Sequence, residues 1–220
     1  AIVHEISQPL AAMEATLAAA LLSGKAEDEF VASRIEKARS HIRRILRTIR
    51  HLKSFSRKDS GALGPVLVDA ALRNAIDLVS ARASDVGIEI TFAPEGDSPV
   101  IRVGQVRLEQ VLVNLLVNAL DAVEGMPSPA ITLSWTLRDG QVEIAVTDNG
   151  AGIPPSLVSR VMEPFFSTKT SGESLGLGLS ISRSIVEEFG GSLTLAEAAG
   201  GGTCATLIFD TLTEDRMVAE

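Results

Sequence analysis

The sequence predicts an α+β protein in two parts: a helical hairpin that pairs with a second copy as a four-helix bundle, then an α/β sandwich with a mixed sheet and helices on one face. Three observations carry this. The apolar period changes near residue 60, from seams that repeat every 3.5 residues to a mixture of helical and alternating patterns. The charge is split: residues 1–58 hold 11 Lys/Arg against 6 Asp/Glu, and the remainder holds 9 against 22, an asymmetry that points to two units. Between them, Lys58-Asp-Ser-Gly-Ala-Leu-Gly-Pro65 has the composition of a linker. The division is therefore a hairpin over 1–58, a linker over 59–65, a second domain over 66–213 and a tail over 214–220. With 220 residues and 45% hydrophobic content, each part has enough apolar surface for a core.

In the first part, Val3, Ile6, Leu10, Met13, Leu17 and Ala20 step by threes and fours. After Ser23-Gly24-Lys25 the pattern resumes with Val31, Ile35, Ala38, Ile42, Ile45, Ile49 and Leu52. These are a/d seams, and two helices joined by a short turn form a hairpin. One hairpin buries only one stripe per helix, so a homodimer is expected. In the second part, Asp69 to Ser84 reads as a helix, Ile88 to Phe92 as a strand and Arg107 to Val123 as a strongly apolar helix. Ile131 to Leu137 and Val142 to Thr147 alternate around Arg138-Asp-Gly-Gln141, a hairpin signal. Leu175 to Phe189 reads as a helix between glycines. Ser192 to Ala196 and Ala205 to Phe209 form a last strand pair around Gly200-Gly-Gly202. Strand pairs with helices between them give the sandwich.

Several classes are excluded. There is no run of 18 apolar residues to span a membrane. A single cysteine, Cys204, excludes a disulfide framework and a cysteine-based metal cluster. His4, His41 and His51 have no cysteine partners for structural zinc. The basic residues of the first part follow one helical pattern without interleaved aromatics, which suits solvent or an acidic protein better than nucleic acid. The chain begins at Ala1 without Met or a leader pattern and reads as a piece of a longer protein.

Chemistry gathers at four places. In His4-Glu-Ile-Ser-Gln8-Pro9, the histidine and Gln8 lie off the seam, one turn apart. A neutral imidazole is a nucleophile, and the adjacent Glu5 can orient it and take its proton. A surface histidine before a proline kink fits the same residues. In Asn114-Leu-Leu-Val-Asn118, two carboxamides share one stripe of an apolar helix. Each needs a partner, either within the core or as an oxygen ligand to Mg²⁺, which keeps waters and substrate phosphates in its shell. Asp148-Asn-Gly150-Ala-Gly152 follows a strand directly. A carboxylate there can accept from an exocyclic amine such as that of adenine, with glycines admitting a flat base; an ordinary turn has the same composition. Finally, a long connection with Glu163-Pro-Phe-Phe-Ser-Thr-Lys169 precedes Gly176-Leu-Gly178-Leu. Long loops of this kind serve as lids, and glycines opening a helix present N–H groups to phosphate. The signatures of a P-loop and of a Rossmann turn are both missing.

Together, His4-Glu5-x-x-Gln8-Pro9, Asn114-x-x-x-Asn118, Asp148-x-Gly150-x-Gly152, Phe165-Phe166-Ser-Thr-Lys169, Gly176-x-Gly178-Leu and Gly202-Thr203 resemble, in order and spacing, the boxes of sensor histidine kinases of two-component systems. The His-Glu-x-x-Gln-Pro-Leu form and the Phe-Phe-Ser-Thr-Lys box are most similar to the branch of dicarboxylate and oxygen sensors. The resemblance implies a dimerisation and phosphoacceptor hairpin followed by a Bergerat-type ATP-binding domain, with ATP and Mg²⁺ as ligands. It implies His4 as phosphoacceptor and Glu5 as its proton acceptor. Asn118 would hold the metal, with Asn114 assisting beside the phosphates. Asp148 would read adenine in a pocket shaped by Gly150 and Gly152. Lys169, Gly176 and Gly178 would face the phosphates, and Thr203 would lie in the same site. The partners implied are a second copy and the receiver domain of a response regulator, which takes the phosphoryl group on an aspartate. Gln8, one turn from His4, would orient water for removal of that group. The location implied is cytoplasmic, with any inner-membrane anchor in N-terminal regions beyond this sequence.

Ser174 stands where similar kinases have a glycine, which implies a stiffer lid. Two rival functions share parts of the pattern. Bergerat-type ATPases place a Glu one turn before the metal-binding Asn to activate water; here that position is Asn114, which cannot act as a base. The other rival is a dimeric scaffold that binds nucleotide without turning it over.

Overall fold

The computed structural model describes residues 10–19, 31–39, 42, 63–85, 87–167 and 176–212. The chain divides into two compact units, one formed by its N-terminal part up to residue 58 and the other by nearly all of the chain from residue 59 on. In the first unit, helices α1 (residues 10–19) and α2 (31–39) are present, as the 3.5-residue seams predict. Arg39 joins them: its Nη2 and Nε donate to Glu14 Oε1 at 2.9 and 3.2 Å, while Nη1 donates to Glu36 one turn away at 2.9 Å. Of the seam residues, Leu10, Leu17, Ile35 and Ala38 are half-buried, whereas Met13 and Val31 stay 54% and 41% exposed.

The second unit runs β1 (Gly64–Leu67), α3 (Val68–Asp85), β2 (Ile90–Pro94), β3 (Val100–Val103), α4 (Gln105–Val123), β4 (Ile131–Arg138), β5 (Gln141–Asp148), α5 (Gly178–Glu188), β6 (Ser192–Glu197) and β7 (Thr203–Asp210). Five strands form one sheet in the order β2-β4-β5-β7-β6. β2 lies parallel to β4 and the other neighbours are antiparallel, so the sheet is mixed, as expected. The β4–β5 hairpin turns through Asp139 and Gly140, both at positive φ (51° and 79°). Such two-residue turns match the twist of the strands they join.

Alternation sets the two faces of the sheet. Ile131, Leu133 and Trp135 of β4, Val142, Ile144 and Val146 of β5, and Ala205, Leu207 and Phe209 of β7 are buried with the helices. Their neighbours along each strand, such as Thr132, Ser134, Ala145, Thr147 and Thr206, are half-exposed on the opposite face. The helices therefore cover one face only. α4 is the central helix of this layer and buries Leu108, Val111, Leu112, Leu115, Leu116, Ala119, Leu120 and Val123. A fully buried aliphatic side chain of this kind contributes roughly 1.5–3 kcal/mol. Trp135 is fully buried, and its indole N–H donates to Asp69 Oδ1 in the first turn of α3 at 2.6 Å. That bond satisfies the indole and fixes α3 over β4.

Two strands were not anticipated. β1 and β3 pair with each other as a separate antiparallel ribbon. β1 includes Gly64 and Pro65, which composition assigns to the linker, so the linker ends before residue 64. Each strand has four residues, too few to show a period, and each is held by distant pairing. Leu212 N–H donates to Val100 O at 2.8 Å, and Ile101 bridges to Thr211.

Candidate functional site

Four of the expected site residues, His4, Glu5, Gln8 and Lys169, lie outside the described residues. The others are all placed, and they converge on α4.

Asp148 is the last residue of β5 and only 6% exposed. Its Oδ1 accepts from the backbone N–H of Gly150 at 2.9 Å and of Thr203 at 3.2 Å. Burial pushes its carboxyl above the ordinary carboxylate value, and those two bonds pull the other way. Both bonds land on Oδ1, which leaves Oδ2 to accept from a bound base. Thr203, expected among the nucleotide-binding residues, thus acts through its backbone N–H on the carboxylate itself.

Glycines pack this corner. A Cβ at Gly150 would lie 2.6 Å from the carbonyl carbon of Ala122, near the end of α4, and closer still to its oxygen. A Cβ at Gly202 would lie 2.8 Å from the carbonyl carbon of Asp148 and 2.7 Å from Asn149 Cα. Gly202 also sits at φ +88°, a conformation that side chains rarely adopt. Gly152 packs against the Gly202 carbonyl. The strand end, the turn after it and the start of β7 are therefore locked into one nest.

The second group lies further back along α4. Asn114 Nδ2 donates to Ser182 Oγ of α5 at 2.9 Å. Its amide is pressed onto Gly178, where a Cβ would come within 3.0 Å of Asn114 Cγ. Arg107 Nη2 donates to Glu188 Oε2 at 2.6 Å. Residues 107 and 114 thus meet 188 and 182, so α5 runs antiparallel to α4 and its first turn lies toward Asn118. α5 begins at Gly178, with Leu177 as its N-cap residue and no side-chain cap bond, and the backbone N–H groups of a helix's first turn have no acceptor within the helix. Just before it, Gly176 is folded against the carbonyls of Phe165 and Phe166, and Phe165 N–H donates to Gly176 O at 2.9 Å.

Asn114, Asn118 and Ala122 follow one another at intervals of four and so form one stripe of α4. At one end the stripe touches Gly178 of α5, and at the other it touches Gly150 beside Asp148. The span is about 12 Å at 1.5 Å per residue, the scale of a nucleoside triphosphate. Asn118 stands midway, half-buried, and its side chain makes no hydrogen bond among the described residues. No group of three or more His, Cys, Asp or Glu suited to a metal occurs among them either. A metal here would rest on carboxamide oxygen, substrate phosphates and water, which fits Mg²⁺.

Two contributors were not foreseen. Ser182, 1% exposed, satisfies Asn114 from across the helix pair; its only trace in the sequence is a hydroxyl four residues after Gly178 on an otherwise apolar face. Asn149 lies in a segment whose composition also suits an ordinary turn, yet both ends of its side chain are bonded.

A strand-end carboxylate, a glycine nest and a helix N-terminus on one stripe define an α/β nucleotide-binding domain. The sequence matches the family described as histidine kinase-, DNA gyrase B-, and HSP90-like ATPase over residues 103–213, about half of its length, and the chain belongs to that family. Within it, the relatives are sensor kinases, in line with the resemblance read from the boxes. The chain is 36% identical over 206 residues to the two-component sensor PprA of Pseudomonas aeruginosa, covering 90% of this chain and 22% of that protein. It is 33% identical to the C4-dicarboxylate transport sensor protein DctS of Rhodobacter capsulatus, covering 93% and 32%. The chain thus spans between a fifth and a third of the length of these relatives. Among solved structures, full-length ShkA in complex with AMPPNP aligns with a TM-score of 0.73 and 27% identity, over 96% of this chain and 45% of that one. The histidine kinase ThkA, solved with the response regulator protein TrrA, shares the fold with a TM-score of 0.70 and 19% identity, over 96% and 61%.

Proposed function

We propose that the chain is the catalytic core of a sensor histidine kinase, which phosphorylates itself on His4 from ATP and passes the group to an aspartate of a response regulator. The observation that carries this is the α4 stripe, with a base-reading carboxylate at one end and a helix N-terminus at the other. In this reading residues 1–58 form the phosphoacceptor hairpin and residues 66–213 the ATP-binding domain. The relatives are two-component sensors, one of the neighbouring structures holds an ATP analogue and another a response regulator, which supports the same assignment. ATP as substrate places this part of the protein on the cytoplasmic side. Among the described residues no helix is long and apolar enough to cross a membrane.

Asp148 Oδ2 accepts from the adenine amine, and Gly150 and Gly152 let the ring lie against backbone. The α5 N-terminus at Gly178 and Lys169 meet the phosphates, where helix dipole and cation favour negative charge. Mg²⁺, held by Asn118 with Asn114 beside it, would neutralise charge on the phosphate oxygens. A ring nitrogen of His4 attacks the γ-phosphorus as the bond to the β-phosphate oxygen breaks, ADP leaves, and Glu5 takes the imidazole proton. In the second step a regulator aspartate oxygen replaces the histidine nitrogen on phosphorus and the ring regains a proton. Positioning supplies most of the rate in such transfers. Gln8 orients water for the later loss of phosphate from the regulator. The exposed seam residues Met13 and Val31 support a homodimer in which a second hairpin covers them.

The test is incubation with γ-labelled ATP. Acid-labile label should appear on the chain and disappear in His4→Gln, with ATP affinity retained. Free phosphate as the main product would assign the chain to the hydrolytic branch. Neither label nor phosphate would make it a nucleotide-binding scaffold.

A further inference from the structure

The residue after Asp148 is bonded in a way that a simple turn does not require. Asn149 N–H donates to Ala130 O at 3.2 Å. Its side-chain Oδ1 accepts from Ala130 N–H at 2.8 Å, and its Nδ2 donates to Ser128 O at 2.7 Å. Ile131 and Asp148 are register partners in the β4–β5 ladder, so the first two bonds carry that ladder one rung past Asp148. The third reaches into the α4–β4 connection, where Ser128 is flanked by Pro127 and Pro129. Neither proline has an N–H, so this stretch offers mostly carbonyls and needs a donor from elsewhere. A carboxamide supplies an acceptor and a donor side by side, as a peptide unit does. A carboxylate of the same shape would face the Ser128 carbonyl with a second oxygen.

We propose that Asn149 is a positioning residue for nucleotide recognition, clipping the α4–β4 connection to the end of β5 and so holding the Asp148 carboxylate in register with the Asn118 stripe of α4. It acts through its neighbours. Asp148 is bonded to the N–H of Gly150, Gly150 rests on Ala122, and Ala122 leads directly into the connection that Asn149 holds. Without the clip, the strand end and the helix end are free to separate, and the carboxylate loses its fixed distance from the phosphate half of the site. The proposal rests on Asp148 as the adenine acceptor.

Calorimetric titration of the full chain with ATP, and with purine riboside triphosphate, which lacks the exocyclic amine, tests it. Asn149→Ala should weaken ATP about three- to tenfold, the size of one or two net hydrogen bonds, and leave the analogue within about twofold. Combined with Asp148→Ala, it should add nothing to the ATP loss, because both changes remove one interaction. Asn149→Asp keeps the shape and the bond from Ala130 but replaces the donor to Ser128 with a charged acceptor that repels that carbonyl; it should show the same ligand-selective loss, and it carries the test if the alanine variant fails to fold. Equal losses for both ligands, a loss that adds to that of Asp148→Ala, or no loss in either variant overturns the proposal while Asp148 keeps its role. If Asp148→Ala itself fails to separate ATP from the analogue, the adenine reading falls, and the proposal with it.

Discussion

Replacing Gly150 by alanine adds one methyl group where the backbone of α4 already stands. The new Cβ would lie 2.6 Å from the Ala122 carbonyl carbon and 2.8 Å from Ala122 Cβ, against the 3.4 Å at which ordinary contact begins. The obstacle is a helix carbonyl, so no rotamer change relieves it. Either the 148–150 turn or the end of α4 must move by roughly 1 Å. Overpacking of this kind costs about 1–3 kcal/mol, and at roughly 2–4 °C per kcal/mol for a unit of this size the Tm should fall by about 2–12 °C. ATP binding should suffer as well, because the displacement separates Asp148 from Asn118, the two groups proposed to hold opposite halves of the nucleotide. Losing the Asp148 hydrogen bond in this way should cost about 1–3 kcal/mol of ATP affinity. Calorimetric titration with ATP and a thermal melt of the same variant read both numbers. Gly200→Ala is the control, since a Cβ there meets nothing within 4 Å; it should match the parent chain in both assays. If Gly150→Ala binds ATP within about twofold and melts within about 1 °C of the parent, the reasoning from close approach is wrong.

Other consequences follow from single contacts. Asp148→Asn should weaken ATP by about 1–3 kcal/mol yet hold or raise the Tm without nucleotide, because burial disfavours the charged carboxylate and the amide still accepts from Gly150 and Thr203. The two pH dependences have opposite signs. Folding lifts the Asp148 pKa, so its contribution to stability is greatest below the unfolded value and declines as pH rises through the folded one. ATP affinity, which needs the ionised oxygen, should instead fall as pH drops through that raised value; titrations at several pH values check this, and a flat profile in the parent chain would refute it. Trp135→Phe leaves the Asp69 carboxylate without its indole donor and should cost about 1.5–3 kcal/mol in denaturant unfolding. Gln8→Ala should keep autophosphorylation and slow the decay of purified phosphorylated regulator; decay as fast as with the parent chain removes Gln8 from that role.

What the sequence revealed depended on how local the signal was. α4 was legible nearly to the residue, as Arg107 to Val123 against Gln105–Val123, because one face carries an unbroken apolar stripe. The β4–β5 hairpin was legible because alternation and a turn pair coincide within 18 residues. β1 and β3 were not, since neither has a period of its own and each exists through pairing with chain far away. The site shows the same division. Asp148, the glycines and the Asn pair were recognisable as residue types at set spacings. Their supporting partners were not: Asn114 finds Ser182 at a separation of 68 residues, and Asn149 finds Ser128 at 21. Spacing reports which face a polar group shares, whereas the identity of its partner is decided by packing.

That packing bears on whether the site transfers phosphate or hydrolyses ATP. Hydrolysis needs a base near the γ-phosphate, and a base one turn before Asn118 would occupy position 114. The residue there is a carboxamide, which does not titrate near neutrality. It is also engaged, with Nδ2 on Ser182 and the amide plane against Gly178, so it serves to join α4 to α5. The carboxylates of α4 are drawn elsewhere, Glu109 by Asn74 and Gln105, and Asp121 by Arg82. Among the described residues, none of these supplies a free base on the stripe of Asn114, Asn118 and Ala122. Asn114→Glu would introduce one, at the cost of the Ser182 donor bond. If missing general-base chemistry is what holds hydrolysis back, this variant should release more inorganic phosphate per bound ATP than the parent chain and carry less acid-labile label. Phosphate release unchanged after correction for ATP affinity would show that the discrimination lies outside α4.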